Sequence, residues 1–401
     1  MSMFEDQPDK QVDWGQRGSQ VVLTLASLFI VLAGMKIAAN LLLPVVYAFF
    51  LAVLSYPMVR FLRRKRWPTP LALGLTMFMN LAVLAGLITL AVRLCISFYG
   101  DLPRYVKGLA AKIGEMAMWL EQQGLAGAKA ETDRFFDWNN MIDWITRGNV
   151  MSSLGAMLGS TFGVLGTVFA GLVIILLLMM FILMEAQGTR RRLLAVKLSG
   201  GPDFTGLLRS ADDIQKYLGV KTLISALTGV LAGVLCWFFD LQYPLLWAIL
   251  AFVFNFVPAV GSTAASLPAI AEAFVQHGPA HAAVVAIGYG GINFCLDNFV
   301  QPHLLGNRFG ISPLVVILSV IFWGWLWGPL GMFLAVPLTM VIKVILDNSE
   351  EFRWLSVAMA KKKVRRGEVE VAGYDLHLAE GETIGSGAAT EMPGMGKRPD
   401  S

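Results

Sequence analysis

The chain has 401 residues, 56% of them apolar and 15% charged, with a formal net charge of +4. Soluble domains run roughly 45–50% apolar and about 25% charged. With a mean hydropathy of +0.62, this departure excludes a soluble enzyme, a disordered chain and a nucleic-acid binder, so nucleic acid is not an expected partner.

A membrane-spanning helix needs about 20 mostly apolar residues at about 1.5 Å each. Residues 1–19 carry Glu5, Asp6, Asp9 and Asp13, the wrong sign for a signal peptide, and read as a cytoplasmic N-terminal segment. Residues 20–56 are too long for one pass and hold Lys36, Asn40 and Pro44, which predicts two helices with a break near Asn40. Residues 70–98 predict a third span, completing a first unit at 20–98. Residues 99–150 read as an extracytoplasmic region of short amphipathic helices, with Trp119, Phe135, Phe136, Trp138 and Trp144 as headgroup-level anchors. A transport core follows at 151–350. Its first span, 152–184, carries Gly155, Gly159 and Gly163, a small-residue stripe that permits homo-oligomer contacts.

Residues 186–216 read as a cytoplasmic amphipathic linker and 218–239 as the next span, with Lys216 and Lys221 expected to snorkel. Residues 243–275 are broken by Pro258, Gly261 and Pro268. Residues 281–300 form a span. Residues 312–346 are broken by Gly324, Gly328, Pro329, Gly331 and Pro337. Residues 351–401 read as a cytoplasmic basic segment with a disordered tail from 371. The expected fold is all-α, a polytopic transmembrane bundle of about eight membrane segments, two of them broken or re-entrant.

Three basic clusters set the orientation: Arg60, Arg63–Arg66 with Lys65; Arg190–Arg192 with Lys197; and Lys361–Lys363 with Arg365 and Arg366. The positive-inside rule places all three, and both termini, on the cytoplasmic side of a cell (inner) membrane, where they can also meet anionic headgroups. A straight 312–346 helix would be about 50 Å long against a core of about 30 Å. Broken backbone at membrane depth is tolerated where it lines a cavity, and Gly/Pro-broken segments in pairs point to a transport site. Full crossing and re-entry fit the charge pattern equally, and they place Asn307 on opposite sides.

Polar residues in apolar runs are the site candidates. Asn255, Ser262 and Thr263 flank the first break, beside Pro258 and Gly261. Their amide and hydroxyl groups suit either cargo or the carbonyls freed at a kink. Asn293, Asp297 and Gln301 fall at i, i+4 and i+8 on one helix face, with Asn298 adjoining. A carboxylate among amides suits a cation, a proton or a polyol. Gly328 and Gly331 mark the second break. Glu272, near its segment's end, is expected to meet water, and Lys343 with Asp347 to form an interfacial pair.

No Walker, HExxH or GxSxG motif is present, so no catalytic residue, cofactor or ATP drive is assigned. Cys95, Cys236 and Cys295 are an odd set inside apolar runs, and no metal site is assigned.

Three stretches resemble a known family. Asn255-Phe-Val-Pro258-Ala-Val-Gly261 with Pro268 is similar to its "NFIPxxG…P" motif. Gln301-Pro302-His303-Leu304-Leu305-Gly306 with Ser312-Pro313-Leu314-Val315 resembles "QPxLLG…hPLxV". Gly324, Gly328, Gly331 and Ala335-Val336-Pro337 resemble "GxxxGxxGxxxAxP". The chain is identified by these as a member of the AI-2E transporter family over roughly residues 20–350. Ser262 stands where many members have proline, and His303 where lysine is frequent. The resemblance implies an integral membrane exporter of a small polar metabolite such as autoinducer-2, driven by an ion gradient. The family also implies an alternative, sodium or lithium exchange for protons. A non-transporting scaffold is the remaining class. The expected partners are a small-molecule or ion cargo and the lipid bilayer.

Overall fold

The computed structural model describes residues 14–124, 161–199, 205–258, 260–305, 312–347, 358–359, 363–365, 368–371 and 374–377. Its membrane body is entirely helical. Helices α1 (Trp14–Ile37) and α2 (Ala39–Arg64) part at Ala38, two residues before the expected Asn40. α1 leaves the body, and Val22 to Val31 are all exposed. Lys65 closes α2, and the positive φ of Arg66 turns the chain into α3 (Thr69–Gln122), which Pro70 helps to start.

α3 is one helix of 54 residues. It does not end at 98, because polar residues beyond the apolar stretch do not interrupt a helix that continues outside a bilayer. Residues 125–160 lie outside the described set, and with them Phe135, Phe136, Trp138, Trp144, Gly155 and Gly159. α4 (Thr161–Leu198) and α5 (Thr205–Phe238) absorb most of the expected 186–216 linker as helix. α4 packs along α2 through Leu172, Leu176, Met179 and Leu183 against Ala48, Ala52 and Val59.

α6 (Pro244–Phe254) and α7 (Gly261–His277) form the first hairpin. At about 1.5 Å per residue, the 11 residues of α6 reach about 16 Å, half of a hydrocarbon core. α7 then runs back beside α6: Glu272 reaches both the Gln242 backbone and Trp247. α8 (Pro279–Cys295) continues through a π-helical turn, Leu296–Val300, into α9 (Gln301–Leu305).

α10 (Pro313–Phe333) and α11 (Ala335–Asp347) form the second hairpin. By length and composition α10 is able to cross a membrane, yet it folds back at Gly328, whose φ is 66°. Trp323 Nε1 donates to Thr339 Oγ1 at 3.1 Å, a contact that a straight helix forbids. Ser312 N donates to Met359 O at 3.0 Å, so the chain beyond α11 comes back to the start of α10. Both long broken segments therefore fold back on themselves as hairpins. Asn307 lies outside the described residues. Three short antiparallel strands follow, β1 (Lys363–Arg365), β2 (Glu368–Val371) and β3 (Tyr374–His377), and β3 falls inside the expected tail.

Candidate functional site

The hairpins enter from opposite sides. The base of the first lies beside Tyr105, on the α3 portion that runs on past its apolar stretch; the base of the second lies beside Met359, next to a basic cluster. Their tips meet. Phe256 stacks on Phe333 with ring centroids 4.4 Å apart and planes at 18°. Val257 also packs into the cluster formed by Trp323, Trp327 and α11.

Glycine makes both reversals possible. A Cβ on Gly261 would stand 1.7 Å from the Phe254 carbonyl oxygen, and one on Gly331 would stand 2.1 Å from that of Trp323. Gly328 supplies the left-handed turn that an L side chain resists. Pro258 accepts from the Val260 N–H at 2.8 Å, closing the tip of the first hairpin. These four residues shape backbone.

α5 is the helix on which the core converges, for it packs against α2, α6, α8, the π turn, α9 and α11. Its buried face carries Lys221, Ser225 and Thr228, at i, i+4 and i+7. Lys221 is only 7% exposed. It does not snorkel, because the π turn and α9 cover its face of α5. The Asp297 carboxylate, on that turn, is close enough to act on its charge. Asn255 is 4% exposed, and its Nδ2 donates to Ser225 Oγ at 3.0 Å. Gln301 is half-buried, and its Oε1 is enclosed without a hydrogen-bond partner. An enclosed amide oxygen without a donor is unusual enough to need a cause. Lys221, Ser225 and Asn255 thus form a buried polar group on α5, with Asp297 acting on the Lys221 charge from an exposed position and Gln301 on α9, which packs against the same helix.

The other candidates stand further out. Asn293 is half-buried. Asp297 and Asn298 are exposed, and Asn298 Nδ2 bonds the Phe294 carbonyl of its own helix. The π turn carries the Gln301 N–H back to the Leu296 carbonyl, one residue beyond α-helical register. The simple i, i+4, i+8 face is therefore wound apart at Asp297. Ser262 is half-buried and Thr263 exposed at the start of α7.

Glu272 is the second buried charge, 2% exposed. It does not meet water. Trp247 Nε1 donates to its Oε2 at 2.5 Å, and the Gln242 N–H to its Oε1 at 2.6 Å. Gln276 Nε2 donates at 2.9 Å, and the Tyr105 hydroxyl lies 3.3 Å away. The network runs on through Gln242 and Tyr243 to Asp101. It fastens the base of the first hairpin to α3. Lys343 and Asp347 form the expected pair, at 3.7 Å.

Sequence reasoning passed over Ser225 and Thr228 and read Lys221 as a snorkelling residue. Their helical spacing within an apolar run was the available signal. Nothing in the sequence marked the Phe256–Phe333 meeting, which joins residues far apart in the chain.

Hairpins inserted from both sides, closing on a polar group within an apolar bundle, define a class of membrane transport protein. The chain belongs to the AI-2E transporter family, whose pattern it matches over residues 25–351. It is 30% identical over 348 residues to the AI-2 transport protein TqsA of Escherichia coli (strain K12), covering 86% of this chain and 96% of that protein. A Haemophilus influenzae protein, named "Putative transport protein", is 32% identical over 339 residues, 82% of this chain and 93% of its own. "Putative transport protein YhhT" of E. coli K12 is 28% identical over 349 residues, 87% and 94% of the two chains. The protein is a multi-pass membrane transporter with a small-molecule cargo.

Proposed function

We propose that the protein exports a small polar metabolite of the autoinducer-2 kind, driven by an ion gradient, through the polar group on α5 between the hairpin tips. The observation that carries this reading is the tip-to-tip closure of two opposed hairpins at Asn255, which bonds Ser225 one helical turn from Lys221. Each hairpin closes the site from its own side. The basic ends of α2 and α4 orient the second hairpin to the cytoplasm and the first to the exterior of the inner membrane. Both termini are cytoplasmic in this arrangement.

Lys221 donates to cargo oxygens, Gln301 Oε1 accepts from a hydroxyl, and Asn255 holds the first tip against α5. Asp297 is the charge-sensitive member. Ser262 and Thr263, at the tip, and Asn293 and Asn298, beside the π turn, line the route. Pro258, Gly261, Gly328 and Gly331 form the reversals. The relative named for AI-2 transport supports the cargo class.

Purified protein in liposomes tests this directly. Autoinducer-2 efflux that stops with Lys221→Met is expected. Sodium–proton exchange without autoinducer-2 movement overturns the cargo and favours the antiporter. Movement of neither overturns transport of both classes, leaving the scaffold.

A further inference from the structure

We propose that Glu272 is a proton-binding site at the base of the first hairpin, its carboxyl neutral and its proton directed at the Tyr105 hydroxyl oxygen. The side chain is 2% exposed, and a buried carboxylate is costly unless a cation meets it. Among the described residues none does. From α3 it faces Tyr105, with Asp101 beyond. Arg104 is spent on Asp101 at 3.2 Å and is 87% exposed, and Lys107 is exposed. Gln242, Tyr243 and Trp247 come from the start of α6 and the turn before it. α5 and α8 bring Cys236 and Tyr289, 3.5 Å from each other and near enough to feel its charge. On α7 itself Gln276 lies one turn on, while His277 and the neighbouring His281 of α8 are exposed. The titratable groups that face the carboxyl are thus aspartate, tyrosine and cysteine, and none offsets a negative charge.

The direction of the hydrogen bonds places the proton. Asp101 only accepts, so Gln242 turns its Nε2 to Asp101 Oδ2, at 3.2 Å. Gln242 Oε1 is thereby left facing Tyr105, whose hydroxyl reaches it at 2.8 Å. Tyr105 has one proton, and the shorter contact takes it. Gln276 Nε2 donates to the same hydroxyl oxygen at 3.0 Å. A lone pair of Tyr105 is then turned to Glu272 Oε1, 3.3 Å away. Two lone pairs would face each other there unless the carboxyl carries the proton between them. Trp247 Nε1 donates to the other oxygen, Oε2, which serves as the carbonyl. A proton therefore completes the network that fastens the base, and water reaching an opened base would remove it. The proton is then the ion whose gradient acts on the first hairpin. That consequence rests on the transport reading; the protonation does not.

The test is infrared difference spectroscopy on the purified full chain in detergent, wild type against Glu272→Gln at neutral pH. A protonated carboxyl C=O stretch that shifts in D2O is expected in the wild type and lost in the variant. Tyr105→Phe removes the lone pair that receives the proton, so its band is expected to vanish at lower pH than that of the wild type. A proton bound by the fold adds stability at low pH that is lost as pH rises through the carboxyl's titration. The wild-type melting midpoint should therefore fall with rising pH relative to Glu272→Gln. Should Glu272→Gln fail to fold, the Tyr105→Phe spectra carry the test. A wild type without the band, a stronger band in Tyr105→Phe, or a midpoint that rises with pH relative to Glu272→Gln overturns the proposal. A wild type with the band but no efflux of autoinducer-2 from liposomes supports the proton site and overturns the transport reading.

Discussion

The first hairpin is fastened by hydrogen bonds and the second by tryptophan. At the base of the first, Glu272 gathers Trp247, Gln242, Gln276 and Tyr105, and at its tip Asn255 holds Ser225. The second packs Trp323 and Trp327 among Leu326, Leu334, Val336, Leu338 and Met340. Its polar contacts to neighbouring helices reach backbone: Trp327 Nε1 donates to Met35 O and the Tyr47 hydroxyl to Leu330 O, while Trp323 bonds Thr339 within the hairpin. Apolar packing is non-directional and yields gradually. A buried polar network is directional, and losing one member strands the rest. The first hairpin is thus fixed chiefly by directional polar contacts, and the second chiefly by apolar packing.

The comparison is broken first at what the hairpins share. Gly261→Ala and Gly331→Ala each place a methyl against a backbone oxygen that cannot yield. Each is expected to cost about 3 kcal/mol or more, with loss of monodisperse protein and of transport. Gly74→Ala, where nothing lies within 4 Å, is the control and should fold normally. A well-folded Gly331→Ala would show that the second reversal does not need its glycine.

Next is the polar latch. Glu272→Ala leaves the buried indole of Trp247 without an acceptor and takes one from the part-buried Gln242 N–H, at about 3 kcal/mol. Trp323→Phe loses one hydrogen bond to Thr339 while keeping most of the packing, at about 1 kcal/mol. Thermal unfolding in detergent should show the first variant well below the second. Equal midpoints would mean that both hairpins are held by the same chemistry.

Much of this difference was not legible in the sequence. The breaks themselves were, because Pro258, Gly261, Gly328 and Gly331 interrupt runs that are too long to be simple spans. So was the apolar bundle. The direction in which each segment folds back was not, for it depends on Glu272 meeting Gln242 and on Ser312 meeting Met359. Lys221 misled for a related reason: a lysine in an apolar run snorkels unless another element covers it, and the covering element is a π turn far along the chain. That turn also explains why the helical face of Asn293, Asp297 and Gln301 is wound apart.

The polar group on α5 separates stability from function. Lys221→Met keeps a long side chain and removes a buried ammonium, and its neighbour Asp297 is exposed, so no carboxylate is left buried without a partner. Autoinducer-2 efflux is expected to fall at least about tenfold, or roughly 1.4 kcal/mol, while the melting midpoint holds or rises. Asp297→Asn is expected to change the pH or sodium dependence of efflux with a smaller loss of rate. An unchanged dependence removes Asp297 from the charge-sensitive role and leaves Lys221 standing.

The finest test is at the meeting of the tips. Phe256→Leu and Phe333→Leu each remove one ring of the stacked pair. An aromatic pair contributes about 0.5–1.5 kcal/mol beyond its buried area, and a double-mutant cycle isolates that coupling. If the polar hairpin stays fixed while the tryptophan hairpin slides, the stack exists only in the closed state. The coupling should then appear in thermal unfolding without cargo and shrink under conditions that hold the transporter open. A coupling of the same size in both states would mean that the tips travel together. The difference between the two hairpins would then concern how each is built, with no bearing on which one moves.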